Sequence, residues 1–504
     1  MNNMNKAMIN LMARKTGTTL TGEHMRVLTY AHKHYEKHRV GPLYQNIRKN
    51  TGLTKEDIER LFPHGLNSIY NWVGIPIQST DNGCKPIASV NVKDRMDVYL
   101  DHNATTYLRK EVTEALISFC HQSSCNFSGN FGSNSVGNLG KDFGNPQSST
   151  SLGKRAYDTL QKARYQISQC IDALDDEIVF TGSGSEANNL AIKGVAFKHM
   201  ASKGHIITSA TEHSSVLKTV GYLEGLGFEA TYLGVDGDGV VRAQDVRNTL
   251  RPDTLLVAVM AANNEIGTVN PIGEIGAICR EKGVPLMVDA VQAFGKMPLS
   301  PGKMGISLMS MSGHKIYAPK GVGALYVEKG FELVPLIHGG DQEGGLRAGT
   351  ENVASIMAFG LAATLAHEEM DRERERLVAL RNYFLAGLKD ADSGFIVNGS
   401  LEKRLPNNLS IGFPGIDSGS LLLSLNQIGV YVSSGSACSS GRVEASHVIR
   451  ALGIDTEKYG VIRFSFGMNT TTEALDYLFR YLPDILRQLD RGQRNSKEKF
   501  GNPR

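Results

Sequence analysis

Short apolar runs and longer stretches of helical periodicity alternate along most of this chain. "EIVF" (177–180), "HIITS" (205–209), "LLVAVM" (255–260), "PLMVD" (285–289) and "SLMSMS" (307–312) are strand-like. Helical stretches separate several of them. That alternation predicts a mostly parallel sheet covered by helices, an α/β architecture. From 361, "LAATLAHEEMDRERERLVALRNYFLAGL" predicts one long amphipathic helix. A mixed segment follows and ends in a helix near 472–490, which suggests a second, smaller α+β domain.

The first quarter reads differently. Residues 20–75 carry short helical patterns, with Val27, Leu28, Ala31 and Tyr35 on one face. "LTKEDIERLFPHG" opens with Thr54, places Asp57 three residues later and stops at Pro63, as a capped helix does. Residues 78–96, with Cys84, read as a linker. A Gly/Asn/Ser-rich stretch at about 126–142 reads as a long flexible insertion.

At 504 residues the chain is long enough for two or three domains. No run of about 18 apolar residues suggests a membrane span, and the start lacks the apolar core of a secretory signal. Six scattered cysteines are too few for a disulfide scaffold, so a reducing, cytoplasmic setting is expected. Net charge is only +3, but residues 1–90 hold 12 Lys/Arg against 6 Asp/Glu, and the remainder 42 against 45. A basic module therefore precedes a near-neutral body. His34 and His38, or Cys120 and Cys125, are spaced as ligand pairs but lack further partners, so no metal site is expected.

Three strand-end features carry chemistry. "FTGSGSEANNLAIKG" runs from a strand through a Gly/Ser turn into a helix, where Gly184 lets backbone N–H groups approach an anion and Ser185 offers a hydroxyl. Asp289 ends a buried strand, as a helix cap or as the partner of a cationic ring nitrogen. His314 and Lys315 follow another strand, between glycines. A phosphate cradle, an imine-forming lysine and an acidic partner are what pyridoxal phosphate needs. A fourth feature is Cys438, held in the polar loop "YVSSGSACSSG" instead of among apolar neighbours.

"YLDHNATT", "FGNP", "TGSGSEANNLAIKG", "TEHSSV", "NNEIG", "VDAVQ", "SGHKIYAPKGVGALYV", "RAGTENV", "SSGSACSSG" and "IRFSFG" occur in an order that resembles the group-I, NifS/IscS-type pyridoxal-phosphate cysteine desulfurases. The resemblance spans about 97–490 and implies a fold-type-I transferase. A large domain of about 112–360 would join a small domain built from 97–111 and 361–490. It implies Lys315 as the Schiff-base lysine. Gly184, Ser185, Ser312 and His314 would hold the phosphate end, and Thr350 would reach it from the partner subunit of a homodimer. His213 would stack on the ring and help deprotonate the thiol. Asp289 would pair with the ring nitrogen, while Gln292 and Asn264 touch the ring oxygen. Arg463, with Asn145 and Asn264 nearby, would grip the carboxylate of L-cysteine, and Cys438 would take its sulfur. Thr150 stands where family members often have a histidine.

Residues 20–88 resemble the DsrC/TusE sulfur carriers, through "LTGEHMRVLTYAHKHYEKH", "GPLYQNIRKNTG", "RLFPHG", "NWVGIP" and the cysteine of "DNGCKP". The implied organisation is a carrier domain over 1–88, a linker over 89–96 and a desulfurase over 97–504. Sulfur would pass from Cys438 to Cys84 and on to acceptor proteins, such as an iron–sulfur scaffold or sulfur-relay proteins. A linker raises the local concentration of one thiol near the other to about millimolar. The readings set against these are an aminotransferase or selenocysteine lyase, with the basic segment as a helix-turn-helix nucleic-acid module. Its scattered basic residues make no clean recognition face, so no nucleic-acid partner is expected.

Overall fold

The computed structural model describes residues 9, 13, 18–38, 42, 44–62, 66–73, 95–123, 143–391, 394–434 and 446–499. Cys84, Cys125, Cys438 and the 126–142 stretch lie outside the described residues. The chain divides into two units, one comprising Met1–Arg95, Gly419–Ile428 and Asp484–Arg504, the other Met96–Ser418 and Gly429–Pro483.

The first unit includes helices Gly22–His38, Tyr44–Thr51, Lys55–Leu61 and Leu66–Val73. Thr54 and Asp57 form the expected capping box, each side chain bonding the other's backbone N–H. Val27, Leu28, Ala31, Ile47, Ile58 and Phe62 share one core with Tyr70 and Trp72. Buried His24 sits edge-on to Phe62 and stacks on Trp72, and its Nε2 lies 2.9 Å from the Leu61 carbonyl. Enclosed polar groups need such partners.

The second unit holds strands β1 (Val98–Tyr99), β2 (Ile178–Thr181), β3 (His205–Ser209), β4 (Glu229–Leu233), β5 (Thr254–Met260), β6 (Leu286–Asp289), β7 (Leu308–Ser312), β8 (Gly323–Val327), β9 (Ile396–Asn398), β10 (Asn408–Pro414), β11 (Val430–Tyr431) and β12 (Tyr459–Ser465). Seven form one sheet in the order β2-β8-β7-β6-β5-β3-β4. It is parallel except at β8, which runs against both neighbours. Strands β2, β3, β6, β7 and β8 are buried throughout, as sheets covered on both faces require. The edge strand β4 buries only Leu233 of its five residues, so "EATYL" carries no apolar run. A smaller antiparallel sheet has the order β12-β10-β9, and β1 pairs with β11.

The long helix expected from 361 is two helices, Val353–Glu368 and Met370–Asp390. The first is apolar on all sides and packs into the core, whereas the second buries only Leu377, Leu380, Phe384 and Leu388. The break falls at Glu369, whose carboxylate accepts from both Arg109 Nη atoms at 2.7 and 2.8 Å. This bidentate pair takes a residue that the helical pattern alone would have carried through.

Candidate active site

Strands β2, β3, β5, β6 and β7 all point the same way, so the turns after them gather at one sheet edge. Open α/β sheets bind ligands at this carboxyl edge.

After β2, Ser183 caps the helix Gly184–Phe197 through its Oγ and the Glu186 N–H. Gly184 is required there. A Cβ would lie 2.6 Å from Val291 Cγ2 and 3.3 Å from Ser312 Cβ, so the helix start sits tight against two neighbouring turns. Ser185, one residue on, is exposed.

Asp289, at the end of β6, is 5% exposed. Its Oδ1 accepts from the Val291 N–H at 3.0 Å, and its Oδ2 from Asn188 Nδ2 at 2.7 Å. The same amide donates to Ser215 Oγ at 2.8 Å, which lies 2.8 Å from His213 Nδ1. The Ser215 backbone N–H also donates to that Nδ1, at 3.1 Å. Nδ1 is therefore an acceptor and the neutral ring carries its proton on Nε2. Burial, against the opposing pull of Asp289 but reinforced by Lys315, holds His213 below its ordinary value. In this arrangement His213 is a hydrogen-bond donor at Nε2. It does not present the base expected for the thiol.

Lys315 follows β7 in a single 3-10 turn, Gly313–Lys315. Its Nζ donates to the carbonyls of Asn103 (2.5 Å) and Ala104 (2.8 Å). Burial, then the Arg463 charge, brings the amine down to about 8, against the opposing pull of Asp101 and Asp289. About a tenth of the amine is then neutral at pH 7, far more than for an ordinary lysine, and the neutral form is what attacks a carbonyl. His314 lies 3.1 Å from Thr105 Oγ1 through Nδ1, and burial with the Lys315 charge pushes it down to about 4. Ser312 is fully enclosed between these turns and β8.

Arg463, on β12, is 5% exposed. Nη2 donates to Asp101 Oδ1 at 2.5 Å and Nη1 to the Asn264 carbonyl at 3.0 Å. Nε is buried with no partner. A buried N–H left open beside a satisfied pair is a seat for an added acceptor, and a carboxylate fits it.

Several participants escaped the sequence reading. Asn188 lies four residues after Gly184 on the same helix, a spacing that does bring both to one face. Asp101 and Asn103 lie within "YLDHNATT", where neither residue type by itself points to a role. Gln292 accepts at Oε1 from Lys296 (3.2 Å) and donates from Nε2 to the Asn103 carbonyl (3.0 Å). Lys296 is pushed down to about 7 by burial and by Lys315 and Arg463. Asn145 is exposed and its Oδ1 accepts from the Gln147 N–H, while Thr350 is exposed. Thr150 caps the helix Ser151–Gln169 through the Gly153 N–H.

Residues 98–478 match the family model described as Aminotransferase class-V. The chain is 46% identical over 396 residues to the cysteine desulfurase IscS of Dictyoglomus turgidum, covering 78% of this chain and 96% of that protein. The chain belongs to the cysteine desulfurase family. The mitochondrial cysteine desulfurase of Arabidopsis thaliana is 41% identical to this desulfurase over 82% of its chain and 88% of the relative. A solved structure described as a NifS-like protein superposes with a TM-score of 0.70 at 36% identity, over 78% of this desulfurase and all of that chain. The fold is therefore that of fold-type-I pyridoxal-phosphate enzymes, and pyridoxal phosphate is its cofactor. Residues 1–76 match a second model, DsrC like protein.

The desulfurase's own groups fit that cofactor. The crowded helix start at Gly184 leaves backbone N–H groups for a phosphate. Asp289 is a fixed carboxylate, and Lys315 is an amine whose hydrogen bonds go to the Asn103 and Ala104 carbonyls. Buried Asn188 Oδ1 has no partner in the protein alone. Among the described residues no helix is long and apolar enough to cross a membrane.

Proposed function

We propose that this desulfurase converts L-cysteine to L-alanine by loading sulfur onto Cys438, and that Cys84 then receives it. Gly184, Ser185, Ser312 and His314, with Thr350 from a second copy in a homodimer, would hold the cofactor's phosphate. Asp289 would face its ring nitrogen, His213 its ring, and Gln292 and Asn264 its ring oxygen. Pyridoxal phosphate bound there supplies an electron sink for the carbon adjacent to the substrate amine. The observation that carries the reading is that Lys315, a carbonyl-held amine, feels both Asp289 at the edge of the large sheet and Arg463 on the smaller one.

The chain's residues divide the remaining work. Arg463 binds the substrate carboxylate through its open Nε–H, with Asn145 and Asn264 at the same end. Lys315, poised near neutrality, takes up and returns protons. His213 donates from Nε2, a donor that suits a developing negative charge. The Cys438 thiolate attacks the substrate sulfur. An S–S bond forms, the Cβ–S bond breaks, the carbon gains a proton, and alanine leaves a Cys438 persulfide.

The carrier-like domain, 1–88, makes the next step intramolecular. The Cys84 thiolate attacks the outer sulfur of the persulfide, and Cys438 departs as the thiol. Support comes from the DsrC match over 1–76 on the same chain as the desulfurase. Acceptor proteins, such as an iron–sulfur scaffold or sulfur-relay proteins, then draw sulfur from Cys84 in the cytoplasm.

Feeding the holoenzyme L-cysteine, trapping persulfides by alkylation and mapping them by mass spectrometry tests both halves. Wild type should carry persulfide on Cys438 and Cys84. Cys84→Ala should keep it on Cys438, and Cys438→Ala should lose both together with alanine formation. Alanine formed at the wild-type rate without Cys438 overturns the desulfurase assignment of that residue. Loaded Cys438 with Cys84 persistently bare overturns the relay.

A further inference from the structure

Asn103 stands in "DHNATT", between Asp101 and the carbonyl of Ala104, and is 1% exposed. Its polar groups are all engaged. The backbone N–H donates to Ser465 Oγ at 2.9 Å. The carbonyl accepts from Lys315 Nζ and Gln292 Nε2. The side-chain Oδ1 accepts from Asn407 Nδ2 at 3.0 Å, and Nδ2 donates to the Asn264 carbonyl at 3.1 Å. That Asn264 carbonyl is the one Arg463 Nη1 reaches.

Two neighbouring cations, half-buried Lys315 and buried Arg463, are thus each anchored to a carbonyl, and one amide side chain ties those carbonyls together. We propose that Asn103 is a positioning residue that fixes the spacing between the Lys315 amine and the Arg463 guanidinium. The Arg463 charge acts on the Lys315 amine, and like charges repel, so their separation must be imposed by the backbone that holds them. The separation matters because one amino acid presents its amine and its carboxylate together, and misplacement by about 1 Å costs roughly 100-fold in rate. Asn407 sets the direction of the tie, since its N–H₂ fixes which end of the Asn103 amide is the acceptor. Gln292, oriented by Lys296, donates to the same carbonyl.

The inference rests on the proposed roles of Lys315 and Arg463, so its test includes an arm that needs neither cofactor nor turnover. Competitive acylation of the cofactor-free protein over a pH series, read by mass spectrometry at Lys315, gives the midpoint of that amine directly. In Asn103→Ala the midpoint should fall by about half a pH unit or more, because the residue-103 carbonyl, which alanine keeps, is no longer held in line to favour the charged form. In the holoenzyme, KM for L-cysteine should rise and kcat/KM should fall by roughly 10- to 100-fold. Asn407→Ala touches neither cation and should shift both readouts in the same directions by less. If Asn103→Ala does not fold, Asn407→Ala decides on the same criteria. A lowered melting temperature with an unchanged acylation midpoint and unchanged KM overturns the proposal. A shifted midpoint with unchanged KM upholds the tie at the lysine and instead refutes the role of Arg463.

Discussion

Replacing Glu212 with glutamine should make the desulfurase's stability less sensitive to pH. Glu212 immediately precedes His213 and is 1% exposed. Both donors that reach it, Ser209 Oγ at 2.7 Å and the Met260 N–H at 2.9 Å, go to Oε1. Oε2 is buried with no partner. Burial therefore raises the carboxyl from an ordinary 4.5 to about 8, with Asp289 adding to the rise. The folded state holds a proton that the unfolded chain releases between those two values. Stability from this group is complete below about pH 4.5 and is lost as pH rises through about 8. At about 1.4 kcal/mol per pH unit, the loss between pH 5.5 and 7.5 comes to about 2–3 kcal/mol. Glutamine keeps the acceptor at Oε1 and replaces a partnerless hydroxyl with an equally partnerless amide, so it has nothing to titrate. Thermal melts of cofactor-free wild type and Glu212→Gln at pH 5.5 and 7.5 isolate the effect, because every other titrating group cancels. The variant should gain on wild type by roughly 2–5 °C over that interval. Parallel melting curves across the range would refute a protonated Glu212.

Gly184→Ala should weaken pyridoxal phosphate retention on ultrafiltration at least tenfold and lower the melting temperature, since overpacking costs about 1–3 kcal/mol; adding Val291→Ala should restore both, and retention at wild-type level in the single variant would count against a crowded helix start. Arg463→Lys should raise KM for L-cysteine and lower kcat/KM by roughly 10- to 100-fold, because one ammonium cannot serve Asp101, the Asn264 carbonyl and a substrate carboxylate in a planar fork; steady-state kinetics checks this, and an unchanged KM would remove Arg463 from the carboxylate site.

The parts of this molecule that were legible as sequence are those where one physical signal dominates. The β5, β6 and β7 runs are apolar because both faces of their strands are covered, so composition alone announces them. Thr54 and Asp57 announce a helix start because the capping box is local. Asp289 was noticeable because an acid at the end of "PLMV" has no reason to be there without a partner. The break at Glu369 was not legible, because its cause, Arg109, is 260 positions away. The same holds for Asn103, Asn188 and Glu212. Asparagine is common in turns and glutamate in loops, and only the folded chain shows that each is enclosed. The tautomer of His213 depends on a backbone N–H two residues on, which no residue pattern specifies.

The placement of β8 sets an order of assembly. Strands β3 to β7 can join one another as they leave the ribosome, each against a neighbour already made. Strand β2 has no partner in the sheet but β8, so it must wait, although it was synthesised first. The turn that leads to Gly184 is the tail of that waiting strand. The helix start at Gly184 therefore completes its setting only when β8 is in place, after both Asp289 and Lys315 have been made.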